Sequence, residues 1–184
     1  QLASRFEVPV EELFAWHERE GAYERLTPPW EAHEVLERTG TLEGGRAVIR
    51  VPWIGPLRTT WVAVHDGYEK NRLFRDRQER GPFARFEHVH RFAADGAVAS
   101  RMEDEIEYAL PGGALGEWVG AGMVARRLRR VFEFRHRRTR RDLERHRAVR
   151  DRGTRTVAIT GASGMIGRPL AAFLLTGGHA VRRI

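Results

Sequence analysis

Apolar residues follow three successive patterns along the chain. Within Val10–Arg19, Leu13, Phe14 and Trp16 fall at helical spacing, and Ala22–Leu26 follows. Gly21 between the two segments and Thr27-Pro28-Pro29 after them predict two short helices. Arg5–Val8, just before, reads as a short strand. From Glu34 the period drops to two. Strands are predicted at Glu34–Thr39, Arg46–Trp53, Arg58–Asp66, Arg72–Arg77, Arg85–Ala93 and Val98–Leu110. Gly44-Gly45, Gly55-Pro56, Asp66-Gly67, Gly81-Pro82 and Asp95-Gly96 punctuate them, so successive strands are expected to be antiparallel neighbours. After Pro111-Gly112-Gly113 the helical period returns, carried by Leu115, Val119, Met123, Leu128, Val131 and Phe134. Gly116, Gly120 and Gly122 weaken helix propensity there but permit a close approach to a sheet. The order predicts an α+β fold, an antiparallel sheet wrapped on a long C-terminal helix, because only that helix is long enough to cover the sheet.

The final segment has a different character. Val157-Ala158-Ile159, within Thr156–Thr160, suits a buried parallel strand. Gly161, Ala162, Ser163, Gly164, Met165, Ile166 and Gly167 follow at once. Ile166, Leu170, Phe173 and Leu174 then mark a helix face, and Ala180-Val181-Arg182 starts another strand. The strand, Gly-x-x-Gly-x-x-Gly turn and helix resemble the opening of a Rossmann nucleotide-binding domain. Gly161 permits the tight turn, Gly164 lets backbone approach a pyrophosphate, and Gly167 lets helix pack on strand. Residues 161–167 are therefore the candidate cofactor-binding residues. The chain divides into residues 1–150 and an incomplete Rossmann β-α-β segment, residues 151–184. With most of its sheet missing, that segment is expected to be disordered, to dock on its own domain, or to self-associate through residues 154–184.

Alternation assigns the inward face of the sheet. Phe86, His88, His90 and Phe92 share one face of their strand, and Met102, Asp104, Ile106 and Tyr108 share one face of the next. Phe74 and Asp76 share a face, and Trp61 and His65 are candidates to join them. The predicted ligand cavity is thus lined by Trp61, His65, Phe74, Asp76, Phe86, His88, His90, Met102 and Asp104. Ile49, Val51 and Phe92 supply further apolar wall. Two readings stand: a partly polar cavity that binds a small molecule and could use a His–Asp pair as acid and base, or a buried network that sets strand register. No metal set is nominated, because His88 and His90 are two ligands on one strand and the sequence does not supply a third.

Composition narrows the classes. The chain has 184 residues, 41% hydrophobic, with no cysteine, so disulfides and thiolate metal sites are excluded. No apolar run is long enough for a membrane span and the opening residues lack a signal-peptide pattern, so a cytoplasmic location is expected. The net charge of +7 is uneven. Residues 1–125 carry −6, residues 126–152 carry +9 with thirteen arginines, and residues 153–184 carry +4. The arginine run is read as a solvated helix face rather than a nucleic-acid contact, since no recognition motif or aromatic platform accompanies it.

The element order resembles the START-like, or SRPBCC, helix-grip family over residues 1–150. Phe14-Ala15-Trp16-His17, Arg25-Leu26-Thr27-Pro28-Pro29-Trp30, Gly81-Pro82-Phe83 and His88-Val89-His90 are similar to the N-terminal module of bacterial fusions with an epimerase-like short-chain dehydrogenase domain. That resemblance implies a domain for a small, hydrophobic ligand, joined to an NAD(P)-dependent epimerase or oxidoreductase. The alternative is an inactive front fragment of such an enzyme. The glycine turn implies NAD(P) in the intact protein, and Arg182 and Arg183 at the end of the second strand favour NADP. The dehydrogenase family's Tyr-x-x-x-Lys is absent: Lys70 is the only lysine, and Asp66 stands four residues before it. No dehydrogenase turnover or bound cofactor is expected of these 184 residues alone. The chain opens on Gln, and its last domain is expected to be a piece of a longer one.

Overall fold

The computed structural model describes residues 1–52 and 57–184. The predicted strand end at Trp53 and the Gly55-Pro56 turn lie outside the described residues. Seven strands form one antiparallel sheet: β1 (Leu2–Phe6), β2 (Glu34–Thr39), β3 (Arg46–Pro52), β4 (Arg58–Glu69), β5 (Leu73–Arg80), β6 (Arg85–Ala94) and β7 (Ser100–Ala109). Their order is β1-β7-β6-β5-β4-β3-β2. Strands β2 to β7 therefore form a meander of sequential neighbours, as their short links require. The helices α1 (Val10–Glu18) and α2 (Ala22–Leu26) lie between β1 and β2, and α3 (Gly113–Arg147) follows β7.

The first strand departs from expectation. It runs Leu2–Phe6 rather than Arg5–Val8, pairing in register with β7 from Leu2↔Asp104 to Phe6↔Ser100. Glu7 and Val8 have left the ladder, and the buried Ser100 hydroxyl donates to the Val8 carbonyl at 2.8 Å. The chain turns there because Pro9 cannot donate to a ladder and suits a helix start. Glu11 and Glu12 in the first turn of α1 favour the positive end of its dipole.

The core sits where α1 and the end of α3 meet the sheet. Phe6, Phe14, Trp16, Phe74, Phe92, Met102 and Leu143 are all buried in one cluster. Side chains of this size contribute about 1.5–3 kcal/mol each when fully buried. Arg25 on α2 and Asp142 on α3 form a buried, bidentate ion pair, with Nε–Oδ2 at 2.7 Å and Nη2–Oδ1 at 2.6 Å.

The apolar face expected for the long helix is corrected in its first half. Leu115, Trp118, Val119 and Met123 are 70, 84, 68 and 68% exposed. The glycines at 116 and 120 instead let this end lie against the Leu110-Pro111 corner, where added Cβ atoms would stand 3.0 Å from the Pro111 carbonyl carbon and 2.9 Å from Leu110 Cδ1. The residues that α3 buries lie further on: the expected Phe134, the ion-paired Asp142, and a row of Phe132, His136, Thr139 and Leu143 spaced by four, three and four. Arginines along α3 serve local contacts. Arg127 pairs with Glu31, Arg130 stacks on Trp30 at 4.4 Å, and Arg135 donates to the Leu26 carbonyl.

Residues 156–183 form a parallel β–α–β unit: β8 (Thr156–Ile159), α4 (Gly167–Thr176) and β9 (Ala180–Arg183). Of the three outcomes expected for this segment, the structure shows docking on its own domain. Arg19 donates to the Thr176 carbonyl at 2.8 Å. Phe173 stacks on His146 with ring centroids 4.4 Å apart, and Arg25 lies over the same Phe173 ring. Gly21, at φ +90°, meets α4 so closely that a Cβ there would stand 2.5 Å from the Ala172 oxygen.

Candidate functional site

Strand register brings the predicted polar residues together. His65 on β4 lies opposite Asp76 on β5, Asp76 lies opposite His88 on β6, and His90 on β6 lies opposite Asp104 on β7. Directly opposed side chains on one face lie within contact distance. The result is one connected cluster. Asp104 Oδ1 lies 3.2 Å from His88 Nε2 and 2.7 Å from His90 Nδ1. Asp76 Oδ2 lies 3.2 Å from His90 Nε2 and 3.4 Å from His88 Nδ1, and Asp76 Oδ1 lies 2.7 Å from His65 Nε2.

Two members were not anticipated from the strands. His136 comes from α3, its Nε2 2.7 Å from Asp104 Oδ2. Its place in the buried Phe132, His136, Thr139, Leu143 spacing was the signal available in the sequence. His17 on α1 packs beside His90, with ring centroids 6.4 Å apart, and its Nδ1 lies 2.8 Å from the Leu13 carbonyl oxygen.

The electrostatics follow from burial and pairing. Burial works against charge on Asp104. The charge of His90 and hydrogen bonds from His136, His88 and His90 nevertheless hold its carboxyl well below the usual range. Asp76 is held low in the same way, against burial, by hydrogen bonds from His65, His88 and His90. Burial alone would lower His90, but Asp104 and Asp76 raise it to about 9. Burial drives His17 down to about 3, only partly opposed by its hydrogen bond to the Leu13 carbonyl and the charge of Asp104. The cluster is closed on the Asp104 side and open at Asp76 and His65, whose side chains are 24 and 25% exposed. Asp76, His88 and His90 offer one carboxylate oxygen and two ring nitrogens within 4.8 Å of one another.

The apolar candidates divide. Trp61 and Phe86 stack edge-on at 5.0 Å, and Phe83 joins both. Tyr108 adds to the group through Phe83. The Trp61 Nε1 is buried and has no hydrogen-bond partner among the described residues. Phe74 and Met102 lie instead within the packed core, with Phe74 stacked on His90 at 4.2 Å. They back the site rather than line open space, as does Phe92. Ile49 and Val51 are half-buried on β3.

The glycine turn takes the shape its residues require. Gly161 has φ +65°, and the Gly164 N–H donates to the Gly161 carbonyl at 2.9 Å. A Cβ at Gly167 would stand 2.8 Å from Ala162 Cα, so only glycine lets α4 begin against the turn. Ala162 is buried, while Met165 and Ile166 are exposed beside the start of α4. This turn fits a pyrophosphate. A dinucleotide crevice needs further parallel strands, and β8 and β9 are the two present among the described residues.

A nucleoside-diphosphate sugar epimerase from Corynebacterium glutamicum is 30% identical and superposes with a TM-score of 0.78 over all of this chain, which spans 39% of that chain's length. The Zhui aromatase/cyclase from Streptomyces sp. R1128 shares the fold at 15% identity and a TM-score of 0.63, with 83% of this chain and 95% of that one aligned. A protein of Thermus thermophilus does so at 17% identity and 0.59, covering 77% of this chain and 94% of that one. No curated protein matches the chain. No helix among the described residues is long and apolar enough to cross a membrane. The antiparallel sheet with its long C-terminal helix is the helix-grip, START-like fold, which fits a small-molecule-binding role. Residues 6–134 match the model of polyketide cyclase / dehydrase and lipid transport proteins, and the chain belongs to that family.

Proposed function

We propose that residues 1–150 bind a small, largely apolar molecule against the inner face of the sheet. Trp61, Phe83 and Phe86 supply the apolar contact, and His65 and Asp76 the polar end. The observation that carries this reading is the buried Trp61 Nε1 without an acceptor among the described residues. A buried donor left unpaired costs about 1–3 kcal/mol, and an oxygen of a bound molecule would satisfy it. The exposed apolar start of α3 supports the reading, because monomeric surfaces seldom leave such residues clustered without a use. The test is displacement of anilinonaphthalene sulfonate by a panel of aromatic and aliphatic small molecules, read with thermal shift. At least one class should displace the dye and raise the melting temperature, with Trp61→Ala and Phe86→Ala weakening both effects. No displacement by any class, or displacement unchanged in both variants, would overturn the reading.

The 30% identity with an epimerase over the whole chain favours a second role for residues 151–184. They are the first β–α–β unit of an NAD(P)-binding Rossmann domain. In the intact fusion Gly161, Ala162, Ser163, Gly164, Met165, Ile166 and Gly167 hold the pyrophosphate. Arg182 and Arg183 select the 2′-phosphate of NADP. In the Rossmann strand order 3-2-1-4-5-6, the next strand of a longer polypeptide would pair with the free edge of β9, and the one after it with the edge of β8 away from β9. The test is binding of NADPH and NADH to a polypeptide extended past Ile184. NADPH should bind the more tightly, and binding of neither would remove this reading.

A further inference from the structure

The histidine–aspartate cluster has a donor arrangement that hydrogen bonds alone do not satisfy. A neutral imidazole has one N–H and one lone pair. Both nitrogens of His88 face carboxylates, Nδ1 toward Asp76 and Nε2 toward Asp104. Both nitrogens of His90 do the same, Nε2 toward Asp76 and Nδ1 toward Asp104. Either a lone pair points at an anionic oxygen, or two imidazolium rings lie with centroids 3.8 Å apart in the protein interior. A divalent cation between Asp76 and the two rings removes the conflict. Each ring then gives its lone pair to the metal and its remaining N–H to Asp104.

We propose that Asp76 Oδ2, His88 Nδ1 and His90 Nε2 form a mononuclear site for a divalent transition metal of the zinc and iron(II) class. The donor set, two imidazoles and one carboxylate from two neighbouring strands, is of the kind that leaves coordination positions open. The oxygen lies 3.2 and 3.4 Å from the two nitrogens. Ligands about 2.0–2.1 Å from a tetrahedral metal lie roughly 3.3 Å apart, so both oxygen–nitrogen edges match an ion, and the two nitrogens lie within 4.8 Å of each other.

The surrounding groups are those a metal site needs. Asp104 holds the His88 ring by a hydrogen bond and lies against the His90 ring, and His136 in turn fixes Asp104 through its second oxygen at 2.7 Å. His65 holds the other oxygen of Asp76 at 2.7 Å. His88 is hydrogen-bonded to Asp104, Asp76 is paired with His65, and His90 Nδ1 lies 2.7 Å from Asp104 Oδ1 without an aligned hydrogen bond; outer partners of this kind orient a metal site. The open side of the cluster, at Asp76 and His65, is where water or an oxygen of a small molecule reaches the remaining positions. The inference stands on these donors and does not depend on the apolar reading of the Trp61 region.

The experiment is a titration of untagged, chelator-stripped protein with Co²⁺, read by visible absorption, followed by Zn²⁺ competition. About one Co²⁺ per chain should bind with ligand-field bands, and Zn²⁺ should displace it. Asp76→Asn and His90→Gln should each weaken binding by at least about 100-fold, and Asp104→Asn by about 10–100-fold, as expected of an outer partner. Circular dichroism confirms that each variant is folded, and the conservative Asp76→Asn keeps a polar group in place. His33→Gln, outside the cluster, should leave binding unchanged. Absence of a saturable band, a band that survives in both Asp76→Asn and His90→Gln, or equal loss in His33→Gln would overturn the proposal.

Discussion

His136 on α3 and Asp104 on β7 meet at 2.7 Å in the protein interior and join the long helix to the centre of the sheet. Asp104 serves three histidines at once, and removing it leaves buried His136 without its carboxylate and His88 and His90 with Asp76 alone. Asp104→Ala is expected to lower the unfolding free energy by about 3–5 kcal/mol, the range for breaking a buried ion pair from one side. Urea unfolding followed by circular dichroism measures it, and a loss below about 1 kcal/mol would show that the cluster contributes little to the fold.

Arg25 and Asp142 make a second buried contact of the same kind, between α2 and α3. Arg25→Ala alone should cost about 3–5 kcal/mol, because Asp142 is then left buried and unpaired. Replacing both partners, as Arg25→Met with Asp142→Leu, should recover much of that loss. A double variant as unstable as the sum of the single variants would refute the pairing argument.

Gly21 decides whether residues 151–184 stay docked. Its φ of +90° costs an alanine roughly 1–2 kcal/mol, and the Ala172 oxygen leaves no room for a Cβ. Gly21→Ala should release α4, seen as faster trypsin cleavage among Arg150, Arg152 and Arg155 and faster amide exchange in α4. Unchanged cleavage and exchange would mean that the Arg19–Thr176 and His146–Phe173 contacts suffice.

The docked segment should also respond to acid. Burial lowers His146 to about 4, with Asp142 opposing the shift and Arg19, His179 and Arg25 adding to it. The undocked histidine titrates near 6.5. Docking is therefore fully supported above about pH 6.5 and weakens as pH falls toward about 4, where the released histidine takes a proton and the stacked one does not. Amide exchange of α4 at about pH 7.5 and about pH 5, corrected for intrinsic rates, should show this loss. His146→Phe keeps the stack on Phe173 and should flatten the dependence.

The later strands were legible from their period and turn residues, and five of the six end within three residues of the predicted places; the Asp66-Gly67 turn was misplaced, since β4 runs on to Glu69 and the chain turns at 70–72, where Asn71 takes a φ of 61°. The inward face of β6 was equally legible, since Arg85, Glu87 and Arg91 leave no other side for the solvent. Less was legible where tertiary contact overrides local pattern. Leu115, Val119 and Met123 have helical spacing yet stay exposed. Phe132, His136 and Thr139, which hold the sheet, include two polar residues that hydropathy passes over. β1 starts earlier than its apolar pattern suggested because it is placed by pairing with β7.

The period of the apolar residues, the turn glycines and the strand–turn–helix order at the end determine by themselves that this chain builds an antiparallel sheet, a long helix and a parallel β–α–β unit. Those are local properties of backbone and side-chain alternation. Register decided the rest. Only the ladder sets Asp76 opposite His88 and Asp104 opposite His90, and only packing brings His136 in from a helix 32 residues away from Asp104 in sequence. Alternation already put Asp76 on the inward face with His88 and His90, but not within reach of both, because the distance between strands is fixed by hydrogen bonding across the sheet and not by spacing in the sequence.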